Sequence, residues 1–163
     1  MPIEVPALLE HMIQALRSKM LSFPTPPLMI GIHSGGVWVA EQLYPHLQLP
    51  DSLGKLNIAF YRDDFSQTGL HPSVGASDLP YDLNDRHIIL VDDVLYTGRT
   101  IRAALNELFD YGRPASVTLV VLAERNGREL PIQADIAGIR LQLDSHQYLQ
   151  LNIAAFTLSI QNR

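Results

Sequence analysis

Two adjacent carboxylates, Asp92 and Asp93, close the apolar run Ile88-Ile89-Leu90-Val91, and the turn Thr97-Gly98-Arg99-Thr100 follows shortly after. Carboxylates accept hydrogen bonds from hydroxyl groups, and a neighbouring pair suits the two hydroxyls of a ribose diol. Gly98 lets the backbone turn tightly, and a hydroxyl stands on either side of it at the start of a helical pattern. Backbone amides, the positive helix end and the threonine side chains together make a phosphate cradle. A ligand with a phosphate on one arm and a diol beside it would fill both features. The glycine spacing is neither that of a dinucleotide fingerprint nor that of a Walker loop. The same residues also suit a plain helix start, with Thr100 as the N-cap and no ligand.

Such residues need a rigid mount. Burying an unpaired carboxylate costs several kcal/mol, so the pair is predicted to end the strand Ile88 to Val91 and emerge at its carboxyl edge. In open α/β sheets that edge is where ligands bind. Val5, Leu8, Leu9, Met12, Ile13, Leu16 and Met20 recur at helical spacing and predict an amphipathic helix from about Pro6 to Met20. Pro24, Pro26 and Pro27 close it off. Leu28 to Ile32 reads as a short apolar strand, and His33-Ser34-Gly35-Gly36 as a turn into a helix starting near Val37. Leu56, Ile58 and Phe60 alternate as a strand would.

The stretch 62–86 carries Gly69, Pro72, Gly75 and Pro80 without sustained periodicity, a length of loop that is usually functional or disordered. A helix from Thr100 to about Tyr111 should stop at Gly112 and Pro114, and Val117 to Leu122 should be the next strand. From Asp135 to Arg163 short, irregular β structure is expected. Strands alternating with helices predict an α/β fold, a mainly parallel sheet covered on both faces.

At 163 residues the chain is expected to be one domain. With no cysteine it has neither disulfides nor thiolate metal sites. Glu4, Glu10, His11 and Arg17 interrupt any leader-like apolar run, and no run is long enough to span a bilayer, so the cytoplasm is the expected location, with no membrane partner. A net charge of −5 counts against a strongly basic nucleic-acid binder. His11, His46, His71, His87 and His146 read as surface or packing residues, with no pair spaced to share a metal.

The apolar run, paired acids and Thr-Gly-x-Thr turn resemble the signature of type I phosphoribosyltransferases. The longer string Val91 to Thr100 is most similar to one branch, the bifunctional pyrimidine operon regulators and uracil phosphoribosyltransferases. Tyr61-Arg62-Asp63-Asp64, Gly112-Arg113-Pro114 and Arg128-Glu129-Leu130-Pro131-Ile132 match that branch in the same order. The resemblance covers about Leu28 to Asp135.

It implies the type I phosphoribosyltransferase fold with a small irregular hood, largely from 135–163 with an N-terminal contribution, and a flexible flap at about 62–86. It implies transfer of ribose 5-phosphate from phosphoribosyl pyrophosphate (PRPP) to uracil, giving UMP and pyrophosphate, as in nucleotide salvage. Asp92 and Asp93 would hold the ribose hydroxyls, and Val94, Leu95, Tyr96 and Thr97 to Thr100 (with Gly98 and Arg99) the rest of the PRPP site. His33, Ser34, Gly35 and Gly36 would form the pyrophosphate loop, with Arg62 reaching the leaving group from the root of the flap. Asp92, Asp93 and Arg62 are thus the expected catalytic residues. Mg²⁺ would bind mainly through pyrophosphate rather than directly to the protein, and a homo-oligomer is expected.

The chain departs from the family most beyond Asp135, where members form the hood over the base, and at three positions before it. Gly35 stands where members often carry Arg, so Gly35→Arg is expected to raise turnover if the loop accepts a side chain. Gly127 stands where the branch often has His, and Gln133 where it often has a basic residue. Both belong to the surface with which regulators of this branch bind messenger RNA. Two alternatives therefore stay open: a weakly catalytic or non-catalytic nucleotide-sensing, RNA-binding regulator of pyrimidine operons, and a purine phosphoribosyltransferase differing in the hood.

Overall fold

Strands of continuous apolar sequence must be covered on both faces, and the order of elements supplies the covers. The computed structural model describes residues 2–58 and 77–163. The chain runs through β1 (Ile3–Glu4), α1 (Val5–Met20), β2 (Leu28–Ile32), α2 (Gly35–Leu43), a short 3₁₀ turn (Tyr44–His46), β3 (Gly54–Leu56) and β4 (His87–Leu95). It continues with α3 (Arg99–Asp110), β5 (Ser116–Arg125), β6 (Ile136–Leu141), β7 (Gln147–Asn152) and β8 (Thr157–Asn162). Five strands form a parallel sheet in the order β3-β2-β4-β5-β6.

Side chains alternate across each strand, so one sequence feeds two cores. Leu28, Ile30, Ile88, Leu90, Leu119 and Val121 meet Ile101, Ala104 and Leu108 of α3 on one face. Met29, Ile89, Val91, Val120 and Leu122 meet Leu9, Met12 and Leu16 of α1 and Val39, Ala40 and Leu43 of α2 on the other. Burying each Leu, Ile or Val in this way stabilises the fold by about 1.5–3 kcal/mol. The parallel, two-faced α/β sheet is the one the sequence predicts.

Several expected boundaries move. Helix α2 starts at Gly35 rather than near Val37, and α3 at Arg99 rather than Thr100. Strand β3 covers Gly54–Leu56 and leaves Ile58 beyond its end, though buried; Phe60 lies outside the described residues. The largest difference concerns β4, which does not stop at Val91. Pairing with β2 ends at Gly31↔Val91, whereas pairing with β5 continues through Asp92↔Val121 and Val94↔Ala123 to Leu95↔Glu124. The carboxylates therefore sit in extended backbone that keeps one neighbour and has lost the other. That half-open edge is what lets charged residues continue a strand.

The C-terminal region is more regular than its sequence suggests. Strands β7 and β8 pair antiparallel from Gln147↔Asn162 to Asn152↔Thr157, and β1 adds to β8 as a third strand. Leu158 is fully buried against the α1 side of the main sheet, with Leu149 and Leu151 packed beside it.

Candidate active site

Both glycines of the turn after β2 lie against the paired carboxylates. A Cβ built on Gly35 would overlap Asp93 Oδ2 and sit 2.5 Å from Asp93 Cγ. One built on Gly36 would sit 2.5 Å from the Val91 carbonyl oxygen, 2.9 Å from Asp92 Cα and 3.1 Å from Asp92 Oδ1. Atoms this close leave room only for hydrogen. Two segments some 60 residues apart in sequence thus meet at one point of the sheet edge.

The carboxylates are set by their own backbone. Asp92 Oδ1 accepts the Asp93 N–H at 2.8 Å, and Asp93 Oδ1 accepts the Val94 N–H at 2.8 Å. Asp92 is 6% exposed, while Asp93 is half-buried. In the facing turn, the His33 N–H donates to the Leu56 carbonyl at 2.9 Å, which ties the turn to β3. The His33–Ser34 peptide bond is cis.

The turn after β4 is held from the other side. Gly98 adopts φ +96° and is the N-cap of α3, a left-handed conformation that glycine takes without steric cost. Thr100 lies within the helix, so the plain reading in which it caps the helix does not hold. Thr97 Oγ1 accepts the Arg99 N–H at 3.2 Å. The Thr97 carbonyl accepts the Glu129 N–H at 2.9 Å and the Leu130 N–H at 3.3 Å, and Gly98 faces Leu130 and Ile132. Arg99 Nε donates to Glu129 Oε1 at 2.9 Å. That ion pair is solvent-exposed and adds ~0–1 kcal/mol at most, so the backbone bonds carry the docking.

The structure therefore gathers His33 to Gly36, Asp92, Asp93 and the Tyr96 to Thr100 turn along one carboxyl edge. Arg62 and the expected flap up to residue 76 lie outside the described residues. His87 sits at the far end of β4, stacked on Phe23 at 4.7 Å and 2.6 Å from Ser116 Oγ, a packing role. Sequence reasoning missed Arg125, which lies over the Tyr96 ring with Cζ 4.1 Å from the ring centroid. It also missed that the 128–132 segment buttresses the Thr97–Gly98 turn. Sequence similarity marked that segment without showing its purpose.

A site with this geometry can hold a phosphate at one end, a diol in the middle and an anionic leaving group against the Gly35–Gly36 turn. A family model described as a phosphoribosyl transferase domain matches residues 4–148. The chain belongs to the phosphoribosyltransferase family. This phosphoribosyltransferase is 57% identical over 152 residues to the bifunctional protein PyrR of Nitrosococcus oceani, covering 91% of this chain and 86% of the relative. It is 58% identical over 125 residues to the bifunctional protein PyrR of Pseudomonas aeruginosa, covering 77% and 74% respectively. Its fold matches the hypoxanthine phosphoribosyltransferase of Trypanosoma cruzi with a TM-score of 0.70 over 98% of this chain and 94% of that one, at 16% identity. A hypoxanthine-guanine phosphoribosyltransferase of Bacillus anthracis gives a TM-score of 0.69 over 86% and 83%, also at 16% identity. Identities this low bear on fold alone. No helix among the described residues is long and apolar enough to cross a membrane.

Proposed function

We propose that this phosphoribosyltransferase acts on uracil, transferring ribose 5-phosphate from PRPP to give UMP and pyrophosphate, in connection with control of pyrimidine genes. The observation that carries the reading is the apposition of Gly35 and Gly36 to Asp93 and Asp92 beside the Thr97–Thr100 turn. With PRPP as the ligand, this arrangement would offer three subsites in the order of its pyrophosphate, diol and 5-phosphate. The two bifunctional relatives support the pyrimidine assignment by their name.

Transfer of a ribosyl group passes through a cation-like sugar, so nothing in the protein need attack covalently. Catalysis then rests on positioning and on fixed charge. Asp92 and Asp93 would accept the ribose hydroxyls and place negative charge below the developing cation. Amides of the Gly35–Gly36 turn would face the departing pyrophosphate, with no side chain between. The Thr97–Thr100 turn would fix the 5-phosphate. Mg²⁺ suits hard oxygen donors such as Asp92 and Asp93, and when bound it would neutralise charge on the pyrophosphate, whose oxygens would supply most of its ligands. Keeping water from the cation falls, on sequence grounds, to the 62–86 stretch, with Arg62 at its root; its end is anchored, since Asp78 bridges to Lys55 and Leu83 is fully buried. The small β1-β8-β7 sheet is the proposed hood over the base.

Initial rates with PRPP, Mg²⁺ and a panel of uracil, cytosine, hypoxanthine, guanine and xanthine test this. Uracil should exceed every other base by at least ~100-fold in kcat/KM, the discrimination that buried polar contacts to a base can give. A purine as the preferred substrate would overturn the uracil assignment.

A second reading, an RNA-binding regulator sensing nucleotide through the same site, draws support from a polar cavity of about 350 Å³ whose lining includes Arg128 and Arg140, the latter paired with Glu124. RNA affinity there should fall steeply between low and physiological salt as phosphate contacts are screened. A salt-independent signal would count against it.

A further inference from the structure

Tyr96 lies in the turn between β4 and α3, directly before Thr97, and is 41% exposed. Its ring is nonetheless gripped. The Arg125 guanidinium lies over one part of it, with Cζ 4.1 Å from the centroid. Gly127, at φ +114°, approaches so closely that a Cβ there would overlap Tyr96 Cε1 and lie 3.0 Å from Cδ1. Arg125 ends β5 and is only 7% exposed. Its Nη1 donates to the Gln147 carbonyl at 2.6 Å, its Nε to the Asn126 carbonyl at 3.2 Å and its Nη2 to the Asp144 carbonyl at 3.5 Å. Gln147 opens β7 and Asp144 stands just before it. One buried side chain therefore reaches from the C-terminal hairpin to the ring beside the candidate phosphate turn.

We infer that Arg125 is a positioning residue, tying the C-terminal hairpin to the Tyr96 ring and so fixing the Thr97–Thr100 turn in the shape that receives the 5-phosphate. The inference rests on the phosphoribosyl-donor reading above. Three features place the effect in shape rather than in charge. The guanidinium is spent on backbone carbonyls and a π face, and is shielded from solvent. The turn contains Gly98, whose backbone has the widest conformational freedom, so it needs bracing from outside. The Thr97 carbonyl is braced on one side by the Glu129 and Leu130 amides, and Tyr96 is braced on the other by Arg125. Lysine would keep the charge but cannot lie flat on a ring while forking to several carbonyls.

The test uses the full chain as Arg125→Lys, Tyr96→Leu, Tyr96→Phe and the double variant Arg125→Lys/Tyr96→Leu. Binding of ribose 5-phosphate is measured by calorimetry, with steady-state kinetics for PRPP and uracil. Arg125→Lys and Tyr96→Leu should each weaken ribose 5-phosphate binding about five- to tenfold, the size of losing one desolvated cation–π contact. The loss should fall on KM for PRPP rather than on kcat. Tyr96→Phe, which keeps the ring, should recover most of the affinity lost in Tyr96→Leu. The double variant should be no weaker than the weaker single, because Arg125 acts through Tyr96. Effects that multiply in the double variant, or a folded Arg125→Lys protein with wild-type ribose 5-phosphate affinity, overturn the inference. If Arg125→Lys does not fold, equal affinities in Tyr96→Leu and Tyr96→Phe overturn it instead. Wild-type protein that binds ribose 5-phosphate but turns over another base overturns the uracil assignment alone. Wild-type protein that binds no ribose 5-phosphate overturns both.

Discussion

Gly35 and Asp93 occupy each other's space: where any other residue at 35 would place its Cβ, Asp93 already has its carboxylate. The gain in turnover expected of arginine at this position depends on a loop that accepts a side chain, and the loop as it stands has no room for one unless Asp93 moves. A side chain there must first push the Asp93 carboxylate aside. The cation gained on the pyrophosphate side would come with a displaced carboxylate.

Gly35→Ala and Gly36→Ala should therefore fail in different ways. At Gly35 the obstacle is a short side chain that can rotate, so Gly35→Ala should keep its thermal midpoint and lose turnover. At Gly36 the obstacle is the Val91 carbonyl and Asp92 Cα, backbone atoms that cannot rotate away. Gly36→Ala should lose about 1–3 kcal/mol of stability, as overpacked cores do. Denaturant unfolding and initial rates on both proteins check this, and equal stabilities for the two would contradict the geometry.

Asp92→Asn and Asp93→Asn should each lower kcat/KM about 10- to 100-fold, the equivalent of one charge-assisted hydrogen bond. The amide oxygen of asparagine can still accept the Asp93 N–H or the Val94 N–H, so the fold should survive. Near-wild-type turnover in both variants would assign the pair a purely structural role.

Gly98 holds φ +96° with its nearest side-chain neighbours at 3.4 and 3.5 Å. Space is adequate there and only the backbone angle is costly, so Gly98→Ala should lose about 1–2 kcal/mol. Gly98→Asn should lose less, since asparagine visits this region more readily. Thermal unfolding of the two variants decides it; equal losses would mean that a clash dominates.

Gly127→His would restore a residue common in the related branch, yet its Cβ position is taken by the Tyr96 ring. The substitution should therefore weaken ribose 5-phosphate binding whatever it does for RNA. Titrating both ligands against the variant checks this, and unchanged ribose 5-phosphate affinity would show that the ring yields freely.

The sequence by itself determined the parallel α/β sheet, because runs such as Ile88 to Val91 are apolar on both faces and α1 carries its apolar residues at helical spacing. It also marked Asp92, Asp93 and Gly98, since paired charges after an apolar run and a glycine before a helix are local signals. It misplaced the end of β4. Whether Asp92 and Asp93 continue the strand depends on β5 outlasting β2 as a neighbour, and register between strands is written in no single segment. The crowding of Gly35 and Gly36 against the carboxylates, and the reach of Arg125 from the C-terminal hairpin to Tyr96, were likewise decided only by the tertiary structure. Contacts of a few ångströms between residues about 20 to 60 positions apart follow from how the sheet is assembled, whereas propensity and periodicity report only on neighbours along the chain.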